Sequence, residues 1–454
     1  MVRKPLGWLV LALVQMLFVP TWAWAGADYP AFRGDGSGRT EARTLPLEWT
    51  PTSVAWKVKL PGYGQSSPVV AGGKVFLTSI EGPNKEKNLV SALDLQTGSL
   101  LWKKELPATQ TVKADFSVSR AAPTPVVDAD TLIVFFESGE LAGFRHDGTQ
   151  LWLRSLVKEY GPFKNGHQLG SSLAQTKQAA YVLIDHQGPS YLLAVDKKTG
   201  KNLWKTERKS RTSWTSPVVI QQGSKELLLV SSGGSVDVYD LVTGKQLSTY
   251  TEVGNNNVPS ATALGNRVVV GASDPPRGAN RELTLRSCCC LLLDAEGKLS
   301  SQPAWHSEKA TASFASPLIH GDCVYFVNAV GVLSCLDLKT GKEHYSERLG
   351  RGCWASPVAV GERIYCFGRD TVTVVVKAGP VFEKLATNRT WEESKEKPAE
   401  TPRQKEKEKG KEGGPPDRTR AAAMFGDPIL YGAAVVDGMI LLRTGTELAA
   451  IKAK

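Results

Sequence analysis

Three sets of residues in this chain have side chains of the types that chemistry needs. Cys288, Cys289 and Cys290 stand side by side; Asn255, Asn256 and Asn257 offer oxygen donors, with Asp274 downstream; His146 and His167 supply imidazoles, the side chain most used for proton transfer. The corresponding chemistries are thiol reactivity, hard-cation binding and acid–base catalysis. Context turns each set toward structure. SCCCLLLDAEG reads as a strand running into a turn, so alternate thiols face opposite sides as small apolar fillers. A run of asparagines between strands is turn chemistry. His146 belongs to a turn, whereas His167 lies in YGPFKNGHQLGSS, a connector long enough to carry function. No nucleophile motif, metal-ligand spacing or phosphate-binding loop occurs, so the sequence offers no catalytic residue and no metal site. The seven cysteines, which also include Cys323, Cys335, Cys353 and Cys366, are odd in number and irregularly spaced, which argues against a disulfide framework. Cys323 and Cys335 are placed to oppose each other across a hairpin.

A fourth set has the composition of a binding surface. Trp214, Phe314 and Trp354 each stand shortly before a Ser-Pro, and the long connectors carry Arg120, His167, Arg211 and Arg351. Aromatic rings beside cations suit the capture of a partner, and cations gathered on one face suit an acidic one. For these residues to share a face, the elements that carry them must repeat.

They do repeat. SALDLQTGSLLWKKEL (91–106) returns as LLAVDKKTGKNLWKTE (192–207). Asp94, Thr97 and Gly98 recur as Asp196, Thr199 and Gly200, as Asp240, Thr243 and Gly244, and as Asp337, Thr340 and Gly341. The flanking apolar positions alternate without a helical period, so each copy predicts strand, tight turn, strand, with Asp bonding its own turn and Gly supplying the positive φ. A second repeat lies upstream in each unit: a Ser-Pro, a short apolar strand, a Gly-containing turn and another strand, as in SSPVVAGGKVFLTS (66–79). Together they predict four strands per unit. Units start near Ser67, Thr124, Ser171, Ser216, Pro259, Ser316, Ser356 and Gly432. The period is that of propeller blades. The last unit has three strands, and residues 54–61 copy the fourth strand of the first unit, so the N-terminal strand is expected to close an eight-bladed ring and remove its free edge. The fold class is all-β, an eight-bladed β-propeller of four-stranded blades.

The D-x-x-T-G-x-x-x-W pattern is similar to the tryptophan-docking repeat of the PQQ-type propellers, a group that includes quinoprotein alcohol dehydrogenases and BamB-like scaffolds. The resemblance covers nearly all of the chain after residue 25. It implies that Trp56, Trp102, Trp152 and Trp204 dock between neighbouring blades, and that blades with Ser248, Ser301, Tyr345 or Glu383 at the matching position hold together differently. For the dehydrogenases it implies PQQ with Ca²⁺, a carboxylate base and often a disulfide between adjacent cysteines, which Cys288, Cys289 and Cys290 match superficially.

Outside the blades, Arg3 and Lys4, the apolar run from Leu6 to Val19 and Ala23-Trp24-Ala25 predict a signal peptide over residues 1–25. The formal charge of +10 then falls to about +8, which for an exported chain suits anionic or acidic envelope partners over nucleic acid. No Cys follows the cleavage site, so no lipid anchor is expected, nor a transmembrane span in the mature chain. Residues 26–53 contain a Y-P-x-F-R-G stretch resembling the leader of secreted PQQ-like repeat proteins, expected to wrap the propeller as extended coil. Residues 389–427 are rich in Lys, Glu, Pro and Gly and predict a flexible insert between blades seven and eight. The propeller then comprises residues 54–388 and 428–454. The leading reading is an exported, monomeric, non-catalytic interaction scaffold with no cofactor, binding envelope proteins on the long-loop face. That face takes the connections 107–120, 157–169, 272–286 and 305–313, opposite short turns such as AGGK and QTGS. The alternative is a PQQ-dependent quinoprotein oxidoreductase of alcohol or sugar dehydrogenase type.

Overall fold

The computed structural model describes residues 28–40, 42, 44–115, 117–273, 281–392 and 428–453. Among them the strands form eight four-stranded antiparallel sheets, each in chain order except the last. Blade one is built from Val69–Ala71, Lys74–Glu81, Lys87–Asp94 and Leu100–Pro107. Blade eight takes Gly432–Val436, Met439–Arg443 and Glu447–Lys452 and is completed by Trp56–Lys59, with Trp56 opposite Ala450 and Lys59 opposite Glu447. The ring therefore closes by the pairing that the sequence requires.

The inner three strands of each blade are buried because another blade covers each face. Phe76, Val90 and Ala92 of blade one meet Leu132, Val134 and Phe144 of blade two in one apolar cluster. Outer strands, such as Leu100–Pro107, are exposed along most of their length, with Trp102 half-buried and Leu106 buried. Their tryptophans reach across the seam. Trp102 Nε1 donates to His146 O at 2.9 Å, Trp152 to Lys197 O at 2.9 Å, Trp204 to Leu241 O at 2.9 Å and Trp56 to Leu95 O at 3.2 Å. Each indole lies on the glycine of the next blade's turn. At Gly200 and Gly244 a Cβ would stand 2.5 Å from the ring, and φ is +71° and +70°, so glycine is required twice over. Asp94 fastens its turn by accepting from the backbone N–H groups of Gln96 and Thr97 and from the Thr97 hydroxyl, which holds its carboxyl below the usual range.

Blade five corrects the sequence reading. Trp305, not a residue at the Ser301 position, is its docking tryptophan: Nε1 donates to Leu338 O at 2.9 Å and the ring covers Gly341.

A chain of hydroxyls ties the inner strands together. Ser67 N–H donates to Thr124 Oγ1, Thr124 to Ser172, Ser172 to Ser216, Ser216 to Ser260, Ser260 to Ser316 and Ser316 to Ser356. Blades three and five enter it through Ser172 and Ser260, one position beyond the unit starts read from the sequence. Blade eight has Gly432 there, because Ser67 Cα stands 2.6 Å from where its Cβ would be.

The first part of the leader is not extended, whereas residues 44–50 run as irregular chain along blade seven, where Leu45 O and Pro46 O accept from Arg363 and Tyr365 and Trp49 N–H donates to Asn388. Residues 32–37 form consecutive turns, and the segment runs along the inner strands. Tyr29 and Val70 exchange both backbone hydrogen bonds, Val127 N–H donates to Pro30 O, Gly36 abuts Val218, and Ala359 N–H donates to Gly38 O. Arg33, 3% exposed, donates to Pro317 O at 2.7 Å; burial lowers its pKa to about 10. Residues 28–39 thus touch the inner strands of blades one, two, four, six and seven around the ring axis. The segment enters beside the Gly72 turn, on the short-turn side, where Asp28 accepts from Gly72 N–H, and reaches the start of the inner strands at Val218 and Pro317. The sequence insert also starts later than 389. Arg389 ends the strand Lys384–Arg389, and Trp391 is buried with Nε1 donating to Glu447 at 2.7 Å. Residues 1–27 and 393–427 fall outside the described residues.

Candidate functional site

On the long-loop face, side chains that lead into five successive blades meet in an arc. Phe314 and Trp354 lie ring to ring at 4.7 Å, and Trp354 meets Tyr431 edge-on at 5.4 Å. Tyr431 and Tyr63 share a hydroxyl–hydroxyl hydrogen bond of 2.9 Å, and the Arg120 guanidinium carbon lies 3.4 Å above the Tyr63 ring. Phe314, Trp354, Tyr63 and Arg120 are all half-buried and Tyr431 is buried, so the rings form one contiguous, partly exposed rim and not a set of plugs in separate blades. The backbone makes room for it. A Cβ at Gly445 would stand 2.3 Å from the Tyr63 ring, so glycine there lets Tyr63 lie flat.

Arg120 is held from behind. Its N–H donates to Gln65 Oε1 at 2.8 Å and its carbonyl accepts from Gln65 N–H at 3.0 Å. The next residue, Ala121, sits at φ +47°, a conformation that L-residues avoid unless their surroundings impose it. What imposes it is a buried ion pair. Glu137 Oε1 accepts from Ala121 N–H at 3.0 Å and from Lys85 Nζ at 3.0 Å, while Lys85 also donates to Ser119 O at 2.8 Å. Beneath the arc, Arg443 is fully buried and donates to Ser66 O at 2.9 Å and to Thr78 O. Burial lowers its pKa to about 9, so it stays charged at neutral pH.

The remaining residues singled out in the sequence fall elsewhere. Trp214 is separate from the arc: Nε1 donates to Gln168 O at 2.8 Å and its ring lies 5.9 Å from His167, which in turn contacts Ser117 O at 2.8 Å. The three aromatics therefore share a face in two groups. Arg211 is committed to Ser235 and lies 3.9 Å from Asp237, so it is less available than the sequence suggests. Arg351 remains exposed, 4.0 Å from Asp370. Tyr63 and Tyr431 were not singled out, because neither directly precedes a Ser-Pro.

The thiols serve as core. All seven are free and buried. Cys289 packs with Val268 and Leu291 on one side of its strand, while Cys288 and Cys290 pack with Trp305 and Ile319 on the other. The adjacent-cysteine arrangement of a quinone site is not made by these residues. Cys323 is paired with Asp337 and Cys335 with Tyr325, so the two thiols are diagonal neighbours on one face of the hairpin. Hydrogen bonding with Cys335 holds the Cys323 thiol below its ordinary value. Asn256 is buried and fastens the backbone of Ser232 and Ser235, which is structural work; Asp274 lies outside the described residues. Among the described residues no group of three or more His, Cys, Asp and Glu side chains is gathered as a metal site would require.

The ring of tryptophan-docked blades now has a counterpart. A family model for outer membrane protein assembly factor BamB matches residues 40–171 and 291–441, more than half of the chain. The chain belongs to the BamB family. Among curated relatives, the outer membrane protein assembly factor BamB of Moranella endobia (strain PCIT) is 24% identical over 229 residues, 50% of this chain and 52% of the relative. The chain thus spans about half the length of that relative. Among solved structures, BamB from Moraxella catarrhalis superposes with a TM-score of 0.57 at 12% identity, covering 88% of this chain and 97% of that one. The computationally designed Ika8 protein gives 0.55 at 13% identity, covering 87% and 98%. At such identities the likeness is one of fold. The BamB-family match spans the arc residues Tyr63, Arg120, Phe314, Trp354 and Tyr431. Among the described residues of this BamB-family chain, no helix is long and apolar enough to cross a membrane.

Proposed function

We propose that this BamB-family propeller is an exported, non-catalytic docking scaffold that holds a protein of the cell envelope against its long-loop face. The observation that carries the reading is the arc from Phe314 to Arg120, in which the half-buried rings of Phe314, Trp354 and Tyr63 are joined through buried Tyr431 and end on a stacked guanidinium. Rigid aromatics and arginine are the side chains that dominate binding energy at protein interfaces. The name carried by the relatives, an outer membrane assembly factor, supports a partner from that compartment. The scaffold needs no cofactor. Two measurements on the full chain test this. A ligand that binds the native state raises its melting temperature by mass action, so PQQ with Ca²⁺ should leave the melt unchanged. Immobilised protein should capture a defined envelope protein, and Trp354→Ala should lose that capture without a change in melting. A saturable, calcium-dependent stabilisation by PQQ with alcohol-dependent dye reduction would replace the scaffold with an oxidoreductase.

A further inference from the structure

We propose that the arc receives an acidic segment of the partner protein, with an apolar side chain against Phe314 and Trp354 and a carboxylate on Arg120. The proposal rests on the docking reading and names the chemistry of what docks.

The argument is one of unmatched charge held in place. Arg120 stacks on Tyr63, its Nε has no hydrogen-bond partner, and no carboxylate lies within ion-pair distance of it among the described residues. A flexible surface arginine loses rotamer freedom on binding; here the backbone is fixed through Gln65, Ala121 and the Lys85–Glu137 pair, and the guanidinium is settled on the Tyr63 ring, so less is left to lose. Its planar fork suits a carboxylate, and its stacked face suits an aromatic neighbour. Arg443 lies below, fully buried and likewise without an acidic partner among the described residues. Three residues before Trp354, Arg351 is 67% exposed and meets Asp370 only at 4.0 Å. Arg369, beside it, has its pKa lowered by burial and then by the like charge of Arg351. The unmatched cation of the arc is therefore Arg120, and the exposed charge on the loop that carries Trp354 is also positive. A basic segment would add like charge there, whereas an acidic one completes the pairs.

The same composition also attracts single-stranded nucleic acid through stacking and phosphate contacts, so the test contains that outcome. Fluorescence anisotropy would be measured with the full chain and three probes: a labelled octapeptide alternating glutamate with phenylalanine, its lysine counterpart, and an oligothymidylate of similar length. Saturable binding of the glutamate peptide alone is expected, weakening with salt. Arg120→Gln and Trp354→Ala should each weaken it about tenfold or more, the loss typical of a hot-spot truncation. Arg120→Lys, which keeps the charge but not the planar stack, should fall between. Melting curves show whether each variant is folded. Absence of binding by the glutamate peptide, equal binding of the lysine peptide, competition by the oligonucleotide, or an unaltered affinity in folded Arg120→Gln would each overturn the proposal. Should Trp354→Ala lose the envelope partner while the peptides are not discriminated, the acidic segment is wrong and the docking face stands. Retained capture by Trp354→Ala would remove the docking face itself.

Discussion

The indole of Trp305 lies on Gly341 of the following blade, where a Cβ would stand 2.6 Å from the ring, and its Nε1 donates to Leu338 O at 2.9 Å. Blade five therefore docks on blade six as blades one, two and three dock on their neighbours. Trp305→Ala is expected to cost about 3–5 kcal/mol, as for other large-to-small changes at buried aromatics, and Ser301→Ala less than about 0.5 kcal/mol. Urea denaturation of the two variants checks this, and equal losses would restore Ser301 as the docking position.

Blade number and ring closure were legible because the turn chemistry is local: Asp, Thr and Gly act on their own backbone. Trp305 was not, because it follows Gly297 by eight positions, where Trp102 follows Gly98 by four. The added residues loop out before the short strand Trp305–His306. The first part of the leader was misread although Gly34, Gly36 and Gly38, all at positive φ, mark turns. Of the candidate site, Phe314, Trp354 and Arg120 were visible as positions before a strand. Tyr63 and Tyr431 were not, since only the closed ring brings residues so far apart in sequence together. Nor could the sequence show that Arg211 is taken up by Ser235 and Asp237.

The buried pair of Lys85 and Glu137, 3% and 2% exposed, fixes the loop that carries Arg120. Glu137→Gln leaves an ammonium buried without its counter-charge and is expected to destabilise by about 3–5 kcal/mol, while the double change Lys85→Met with Glu137→Leu should recover most of that loss. Thermal or urea unfolding of the single and double variants decides it; a double variant as unstable as the single would show that the pair is not the cause.

His186 gives the fold a pH dependence. Its Nδ1 accepts from Lys164 N–H at 3.0 Å and Gly188 N–H at 3.1 Å, and burial lowers its pKa below the ordinary 6.5. Because the folded value is depressed, the unfolded chain takes up the proton first as pH falls. The stability His186 contributes is complete above about 6.5 and is lost as the pH falls from there through the folded value. Melts between pH 7.5 and 5 should show a steeper decline for the wild type than for His186→Gln, which cannot titrate. Parallel declines would contradict the assignment.

Tyr29, 2% exposed, anchors the leader to Val70. If residues 28–39 brace the inner strands, Tyr29→Ala should lower stability by about 3 kcal/mol, in the range for a buried aromatic, instead of the few tenths expected of a surface tail. Chemical denaturation distinguishes the two sizes.

The account's central claim is that partners are held on the long-loop face, and site-specific photo-crosslinking in an envelope extract tests it most directly. A photoreactive residue placed at Arg351 or Phe314 should yield one discrete crosslinked partner. The same residue at Gln96 or Lys339, in the short turns of the opposite face, should yield none. Crosslinks from Gln96 and Lys339 with silence at Arg351 and Phe314 would contradict the account.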